Sequence, residues 1–119
     1  MPYSAKKIPV TCGIDTINEW ATFMNERIEE VRHSLMQEGV EHEQWYLGVE
    51  GSNIFLLGVM KTNDLQHAQH VARKSKLEVD KYHQKFKLFW KRDEIRDLAI
   101  QGASEPHFPD LKLILDVRQ

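Results

Sequence analysis

An amphipathic pattern over residues 15–39 constrains the fold of this chain more than any other feature of the sequence. The apolar residues of this pattern recur at steps of four and three, which places them on one face of an α-helix. The other faces are mostly charged or amide-bearing, so the predicted helix lies half exposed on a sheet or on another helix. Asp15 is the predicted N-cap, and Gly39 is the predicted left-handed residue that ends the helix. The apolar stripe consists of Ile17, Trp20, Ala21, Met24, Ile28, Val31 and Leu35.

Two β-rich runs follow, over residues 42–49 and 53–60, and Glu50-Gly51-Ser52 joins them. Two such runs with a short glycine-containing connection predict a β-hairpin. The second run is apolar on both of its faces, which is typical of a strand buried on two sides. A single layer of helices would leave one of these faces in water, so a further element or a second chain must cover it.

The other elements give the predicted order β-α-β-β-α-(α)-β. This order indicates an α+β, ferredoxin-like fold with a four-stranded antiparallel sheet and helices on one face. The whole chain, residues 1–119, is one domain at this length. The remaining predicted elements are an edge strand over residues 6–12, a helix over 63–75 capped by Thr62 or Asn63, a helix over 79–95, a loop over 98–109 and a strand over 110–118.

The open face of this sheet predicts a homodimer, in which two copies pack their sheets together as an α+β barrel. The alternative is that the C-terminal segment or the extra helix covers the same face within one chain.

Composition narrows the range of partners and compartments. The net charge is −2, and the two signs are interspersed, so neither nucleic acid nor an anionic membrane is an expected partner. The lone cysteine, Cys12, excludes an internal disulfide and fits a reducing cytosol. The N-terminus lacks the apolar segment of a signal peptide, and no run is long enough to span a membrane. A cytoplasmic location is therefore expected.

The chain resembles the DUF6176 family, small bacterial proteins of unknown function, in which a strand pair leads to a D-x-x-H-x-x-F helix. The similar stretches are the long helix, the run WYLGVEGSNIFLLGVMKTNDLQHAQHV and the run VDKYHQKF. The motif falls on Asp80, His83 and Phe86. More remotely, the element order resembles the dimeric α+β barrel superfamily, which includes cofactor-free monooxygenases, haem-degrading proteins and sugar mutarotases. That resemblance implies a fold and dimerisation, but no particular reaction.

Asp80 and His83 are the predicted catalytic pair. Residues three apart on a helix are neighbours, and a carboxylate beside an imidazole can fix its tautomer and raise its basicity. The alternative is structural, with Asp80 as a helix cap and His83 packed at the edge of an aromatic stripe.

Aromatic residues are numerous enough to line a ligand pocket between helices and sheet, although such residues more often form core. A small-molecule-binding or structural dimeric domain is the first functional hypothesis. The alternative is a cofactor-independent oxygenase or isomerase with a histidine general base. The predicted ligand-binding residues are Trp20, Tyr46, Tyr82, Phe86 and Trp90.

No metal site and no cofactor are predicted. His67 and His70 could supply two ligands, but a zinc site needs three or four. Haem is compatible with the sequence only if a histidine such as His83 turns inward. Cys12 lies near a helix N-terminus, where a thiol pKa can fall, but a small buried residue is the expected role.

Overall fold

The computed structural model describes residues 2–100 and 104–119. These residues form one five-stranded sheet and four α-helices. None of the described helices has the length and apolar character needed to span a membrane. The elements are β1 (Tyr3–Pro9), α1 (Ile14–Glu26), α2 (Ile28–Glu38), β2 (Val40–Glu50), β3 (Asn53–Thr62), α3 (Leu65–Lys74), α4 (Glu78–Phe86), β4 (Arg96–Leu98) and β5 (Lys112–Arg118), with 3-10 turns at Lys87–Phe89 and Arg92–Glu94.

The sheet has the order β4-β1-β3-β2-β5, and every neighbouring pair is antiparallel. The α+β class is confirmed, but the prediction of four strands is wrong. The additional strand is β4, which pairs with β1 through Ala5 and Leu98 and begins just before the predicted loop. Three residues are too few for an alternating pattern to be recognised in the sequence. The strand β4 forms because β1 has a free edge with which it can pair.

Strands β4 and β5 lie at opposite edges of the sheet, so the chain between them has to cross it. Four strand spacings of about 4.8 Å make this distance roughly 19 Å. Three described residues of the segment between these strands pack with Leu98 on the sheet face that carries no helices. There Leu98, Ile100, Phe108 and Leu111 contact the cluster formed by Tyr3, Ala5, Tyr46, Leu57 and Val59. A single chain thus buries both faces of β3, which is the alternative that the sequence left open.

The long amphipathic pattern forms two helices, not the single predicted one. The break is at Arg27, whose backbone has φ −119° and ψ 38°. The apolar steps continue through it, so the pattern does not reveal the break. Next to the break, the Asn25 side-chain amide donates to Ala21 O at 2.8 Å and to Ile114 O at 3.0 Å, which ties the end of α1 to β5.

The helix ends follow the predictions in part. Gly39 has φ 73° and closes α2 in the left-handed conformation, as predicted. Asp15 is not the N-cap of α1, because Gly13 occupies that position. Asp64, one or two residues beyond the predicted caps, accepts a hydrogen bond from His67 N at 2.9 Å at the start of α3.

The third predicted helix is shorter than expected, because α4 ends at Phe86. Beyond it, the backbone is tied to the end of β1. Thr11 N donates to Phe89 O at 2.8 Å, and Lys91 N donates to Pro9 O at 2.8 Å. These bonds to the sheet replace helical ones, and they place Trp90 opposite Val10 in an isolated bridge.

The Phe55 ring covers the β2–β3 pair on the helix-free face by lying over Gly48, its cross-strand partner. A Cβ at Gly48 would lie 2.1 Å from Phe55 Cζ. On this face Lys7 Nζ lies 4.4 Å from the centre of the same ring. The glycine is therefore required by close packing.

Replacing Gly48 with alanine is expected to lower the free energy of unfolding by about 1–3 kcal/mol, because Phe55 has to leave its place. Urea unfolding measures the loss. Gly13→Ala is the matched control, since a Cβ there meets no atom within 4 Å and only the preference of a helix N-cap for glycine over alanine is lost. Equal effects of the two substitutions would contradict the packing argument.

Candidate functional site: an acidic cavity lined by tryptophans

A cavity of about 120 Å³ lies between the sheet and the helices. All four helices and strands β1, β2, β3 and β5 contribute residues to its wall. A cavity of roughly 150 Å³ can hold a benzene molecule in another protein, so this space is suited to a ligand of about that size or smaller.

All three tryptophans of the chain line this cavity. The Trp20 and Trp45 rings meet edge to face with centroids 5.4 Å apart, and Trp90 lies 5.9 Å from Trp45. His83 lies among them, at 5.5 Å from Trp45 and 5.7 Å from each of the other two rings. Gly58 makes room for Trp45, since a Cβ there would lie 2.9 Å from its ring. The wall thus offers several aromatic surfaces.

Three buried polar atoms of cavity-lining residues have no hydrogen-bond partner among the described residues. They are Trp20 Nε1, Trp90 Nε1 and Asp80 Oδ2. Trp20 is 1% exposed and Asp80 is 8% exposed. Buried polar atoms are nearly always paired, and an unpaired one costs about 1–3 kcal/mol. The residues of the cavity wall therefore carry two unused donors and one unused acceptor.

Three carboxyl groups line the same cavity, those of Glu38, Glu43 and Asp80. Ser34 Oγ lies 2.6 Å from Asp80 Oδ1 and 3.0 Å from Glu38 Oε1. A hydroxyl carries one hydrogen, so it can donate to only one of them. The second contact requires a proton on a carboxyl group. Burial, together with the charges of Glu43 and Asp80, raises the pKa of Glu38 to about 8, which identifies Glu38 as the protonated group.

Burial also raises the pKa of Glu43 to about 7, and the nearby Asp80 adds to the effect. The Trp45 indole N–H donates to Glu43 Oε1 at 2.7 Å, which favours the ionised form and opposes this rise. Lys87 lies at the same cavity, and burial lowers its pKa while Glu38 and Glu43 oppose that change. Glu43 is thus able to gain or lose a proton near neutral pH.

His83 faces the cavity from α4 as a neutral imidazole. Burial and the positive charge of Lys87 lower its pKa to about 3. No hydrogen bond joins Asp80 to His83 in the described chain, and the bond to Asp80 comes from Ser34. Asp80 also does not cap α4, because Leu77 occupies the N-cap position, and Glu30 Oε1 accepts the hydrogen bond from Val79 N at 3.1 Å. The contacts of Asp80 therefore do not support its predicted role of orienting His83.

The predicted ligand-binding residues divide into two groups. Trp20 and Trp90 line the cavity, and Phe86 lies behind it, stacked on Trp20 with centroids 4.8 Å apart. Tyr46 lies on the opposite face of the sheet, beside Phe108. Tyr82 packs outside the cavity, where its ring stacks on Phe23 at 4.4 Å. The structure therefore does not bring Tyr46 and Tyr82 to this cavity.

Sequence reasoning missed the carboxyl groups from α2 and β2 and the lysine that follows α4. A signal for Glu43 was present, because alternation along β2 puts it on the same face as Trp45 and Leu47. A charged residue on an otherwise apolar strand face is unusual. Glu38 ends α2, where the helix dipole disfavours a negative charge. These two anomalies, considered together, point to the site.

The other candidate ligands from the sequence lie elsewhere. His67 and His70 are exposed on α3, and burial raises the pKa of the Cys12 thiol. On the helix-free face, ligating atoms of His42, Glu105 and Asp116 lie within 4.8 Å of one another. These side chains are already hydrogen-bonded within the chain. His42 Nδ1 contacts Tyr3 at 2.8 Å, His42 Nε2 contacts Asp116 at 2.6 Å, and Glu105 accepts from Arg118 at 2.6 Å.

The pKa of Glu38 predicts how stability depends on pH. Its folded-state pKa of about 8 is above the ordinary value of 4.5, so its contribution to stability is complete below about 4.5 and is lost progressively as the pH rises from there through about 8. Glu38→Gln keeps a donor toward Ser34 without this titration. As the pH rises from about 4.5 to about 8, we expect the free energy of unfolding of the variant to increase relative to that of the parent by roughly 2–5 kcal/mol.

Thermal unfolding measured against pH tests this expectation. Glu19→Gln, at an exposed position of α1, is the control and is expected to change little. A constant difference between parent and Glu38→Gln at all pH values would show that the pKa of Glu38 is the same in the folded and the unfolded chain, which would contradict the raised value.

Comparison with known proteins places the chain in a family. No curated protein and no solved structure gave a significant match. A family model, described as DUF6176, a family of unknown function, matches residues 6–108. This range contains the three tryptophans, the three carboxyl groups, His83 and Lys87 of the cavity, and it ends before β5. The chain therefore belongs to the DUF6176 family.

Proposed function

We propose that this chain is a small-molecule-binding domain whose ligand occupies the tryptophan-lined cavity. The observation that carries the proposal is the set of buried, unpaired polar atoms of Trp20, Trp90 and Asp80 around a space large enough for a small molecule. A purely structural core would be expected to avoid such atoms or to pair them.

The wall supports a ligand with one apolar or planar part and a few polar atoms. The indole rings of Trp20, Trp45 and Trp90 offer surfaces for the apolar part. The unpaired indole N–H groups need an acceptor, and Asp80 Oδ2 needs a donor. Predominantly apolar walls with a few convergent polar groups are typical of ligand sites.

Intrinsic fluorescence is a direct test, since all three tryptophans of the chain line the cavity. We expect small cyclic alcohols and amines to change the emission in a saturable way. Ala68→Leu is expected to abolish this response, because Ala68 is buried in the cavity wall and the added carbons fill the space.

Ala5→Leu is the matched control, at a buried position on the other sheet face. Overpacking there is expected to cost about 1–3 kcal/mol of stability while the fluorescence response persists. Ala68→Leu is expected to cost less, because the cavity accepts the side chain. A folded Ala68→Leu protein with an unchanged response would place the ligand elsewhere.

Proton-transfer catalysis is a second candidate function, favoured by the pKa of Glu43 of about 7 at the cavity wall. A general base works best when its pKa is close to the working pH. His83, with a pKa of about 3, is a weaker base than the hypothesis of a catalytic histidine requires. The two pKa values therefore favour an isomerase that uses Glu43 over an oxygenase that uses His83.

Deuterium exchange tests this second function. A panel of small carbonyl compounds is incubated with the protein in D₂O, and NMR follows exchange at carbon atoms next to the carbonyl. Glu43→Gln is expected to remove the exchange, whereas His83→Gln is expected to preserve part of it. If His83→Gln removes the exchange and Glu43→Gln does not, the base is His83 and the proposed role of Glu43 is wrong.

We also propose a ferredoxin-like relationship, supported by the order β4-β1-β3-β2 within the larger sheet. The homodimer stays a prediction. Leu57 and Val59 are already buried by the chain's own residues, so a dimer would have to use a surface other than these side chains. Light scattering decides between a mass of 14.0 kDa and twice that value.

A further inference from the structure

The cavity contains more acidic than basic groups. Glu38, Glu43 and Asp80 line it together with two lysines, Lys6 and Lys87. Lys6 Nζ is engaged by Asp97 at 3.2 Å, toward the β4 edge of the sheet. None of the ion pairs between described residues involves Lys87. The cavity wall therefore carries three carboxyl groups against one lysine, Lys87, that is not engaged in an ion pair between described residues.

The aromatic wall has the properties of a site for cations. Electron-rich indole faces attract positive charge, and carboxylates beside them add to that attraction. Lys87 Nζ already lies 5.4 Å from the centre of the Trp90 ring. His83, the remaining titratable group of the wall, is neutral and does not oppose a bound cation.

We propose that the ligand of the cavity is a small organic amine, bound as its ammonium ion between the indole rings and the carboxyl groups. This inference rests on the proposed function, the binding of a small molecule in the same cavity. The ammonium group donates to Asp80 Oδ2, the unpaired acceptor. Its charge takes the place of the protons that Glu38 and Glu43 otherwise hold.

The unpaired donors further define the ligand class. Trp20 Nε1 and Trp90 Nε1 each require an acceptor, which an ammonium group lacks. A hydroxyl or carbonyl oxygen on the same molecule supplies it. The cavity volume of about 120 Å³ restricts the ligand to a few heavy atoms beyond these groups. A small amino alcohol meets all three requirements.

A matched pair of probes tests the charge of the ligand. 2-Aminocyclopentanol and cyclopentane-1,2-diol have the same number of heavy atoms and differ in an ammonium group against a hydroxyl. Tryptophan fluorescence is expected to give at least about tenfold tighter binding of the amine, the effect of one hydrogen bond to a charged group. Calorimetry in two buffers of different ionisation heat is expected to detect protons released from Glu38 and Glu43.

The amine is also expected to bind more tightly as pH rises from about 6 to about 8, where Glu43 and then Glu38 ionise. Asp80→Asn and Glu43→Gln are each expected to remove most of the amine's advantage, and the second variant serves if the first does not fold. Glu19→Gln is the exposed control.

The outcomes separate the inference from the proposed function. Equal binding of the two probes, or tighter binding of the diol, overturns the inference and leaves a small-molecule site. A preference for the amine that survives in both cavity variants places the cation elsewhere and also overturns it. Binding of neither probe at millimolar concentration contradicts the proposed function, and the inference with it.

Discussion

The hydrogen bond that the Ser34 hydroxyl donates to Asp80 connects the two helices that form one side of the cavity. Ser34 belongs to α2 and Asp80 to α4, so their contact of 2.6 Å joins two helices above the sheet. Because the hydroxyl hydrogen of Ser34 is donated to Asp80, the contact between Glu38 and Ser34 requires a proton on the carboxyl group of Glu38. A low-dielectric setting makes this arrangement stable, since a third negative charge beside Asp80 and Glu43 would be expensive. The packing of α2 against α4 and the protonation of Glu38 therefore depend on the same three side chains, Ser34, Glu38 and Asp80.

The two faces of the sheet have different roles, and chain topology explains why. The helices cover one face and enclose the cavity, whereas residues between β4 and β5 cover the other with an apolar cluster. Strand β3 lies at the centre and is apolar on both faces because both are buried. The polar network of Tyr3, His42 and Asp116 ties β1, β2 and β5 together on the second face. Neither face needs a partner chain to bury β3.

Much of the fold followed from local patterns in the sequence, and the rest depended on distant contacts. The hairpin, β5 and the end of α2 at Gly39 were predictable, because alternation and a left-handed glycine are local signals. The break at Arg27 and strand β4 were not, since the contacts seen there, Asn25 with Ile114 beside the break and β4 with β1, join residues far apart along the chain.

The site divides in the same way. Asp80, His83, Trp20 and Trp90 were predicted from helical spacing and residue type, and they do line one cavity. Tyr46 was placed there although alternation separates it from Trp45. The carboxyl groups of Glu38 and Glu43 each leave an anomaly in the local sequence, but only the packing of α2 against β2 brings them to one cavity.

Strand β5 has a consequence for the behaviour of the chain in solution. The strand β2 spans Val40–Glu50, and β5 pairs with its outer side, beyond the range that the family model matches. A long apolar strand with a free edge is a template for intermolecular pairing. Here the outermost positions fall to the short β4 and to β5, which carries Lys112, Asp116 and Arg118. The last strand thus protects the sheet from aggregation as well as completing it.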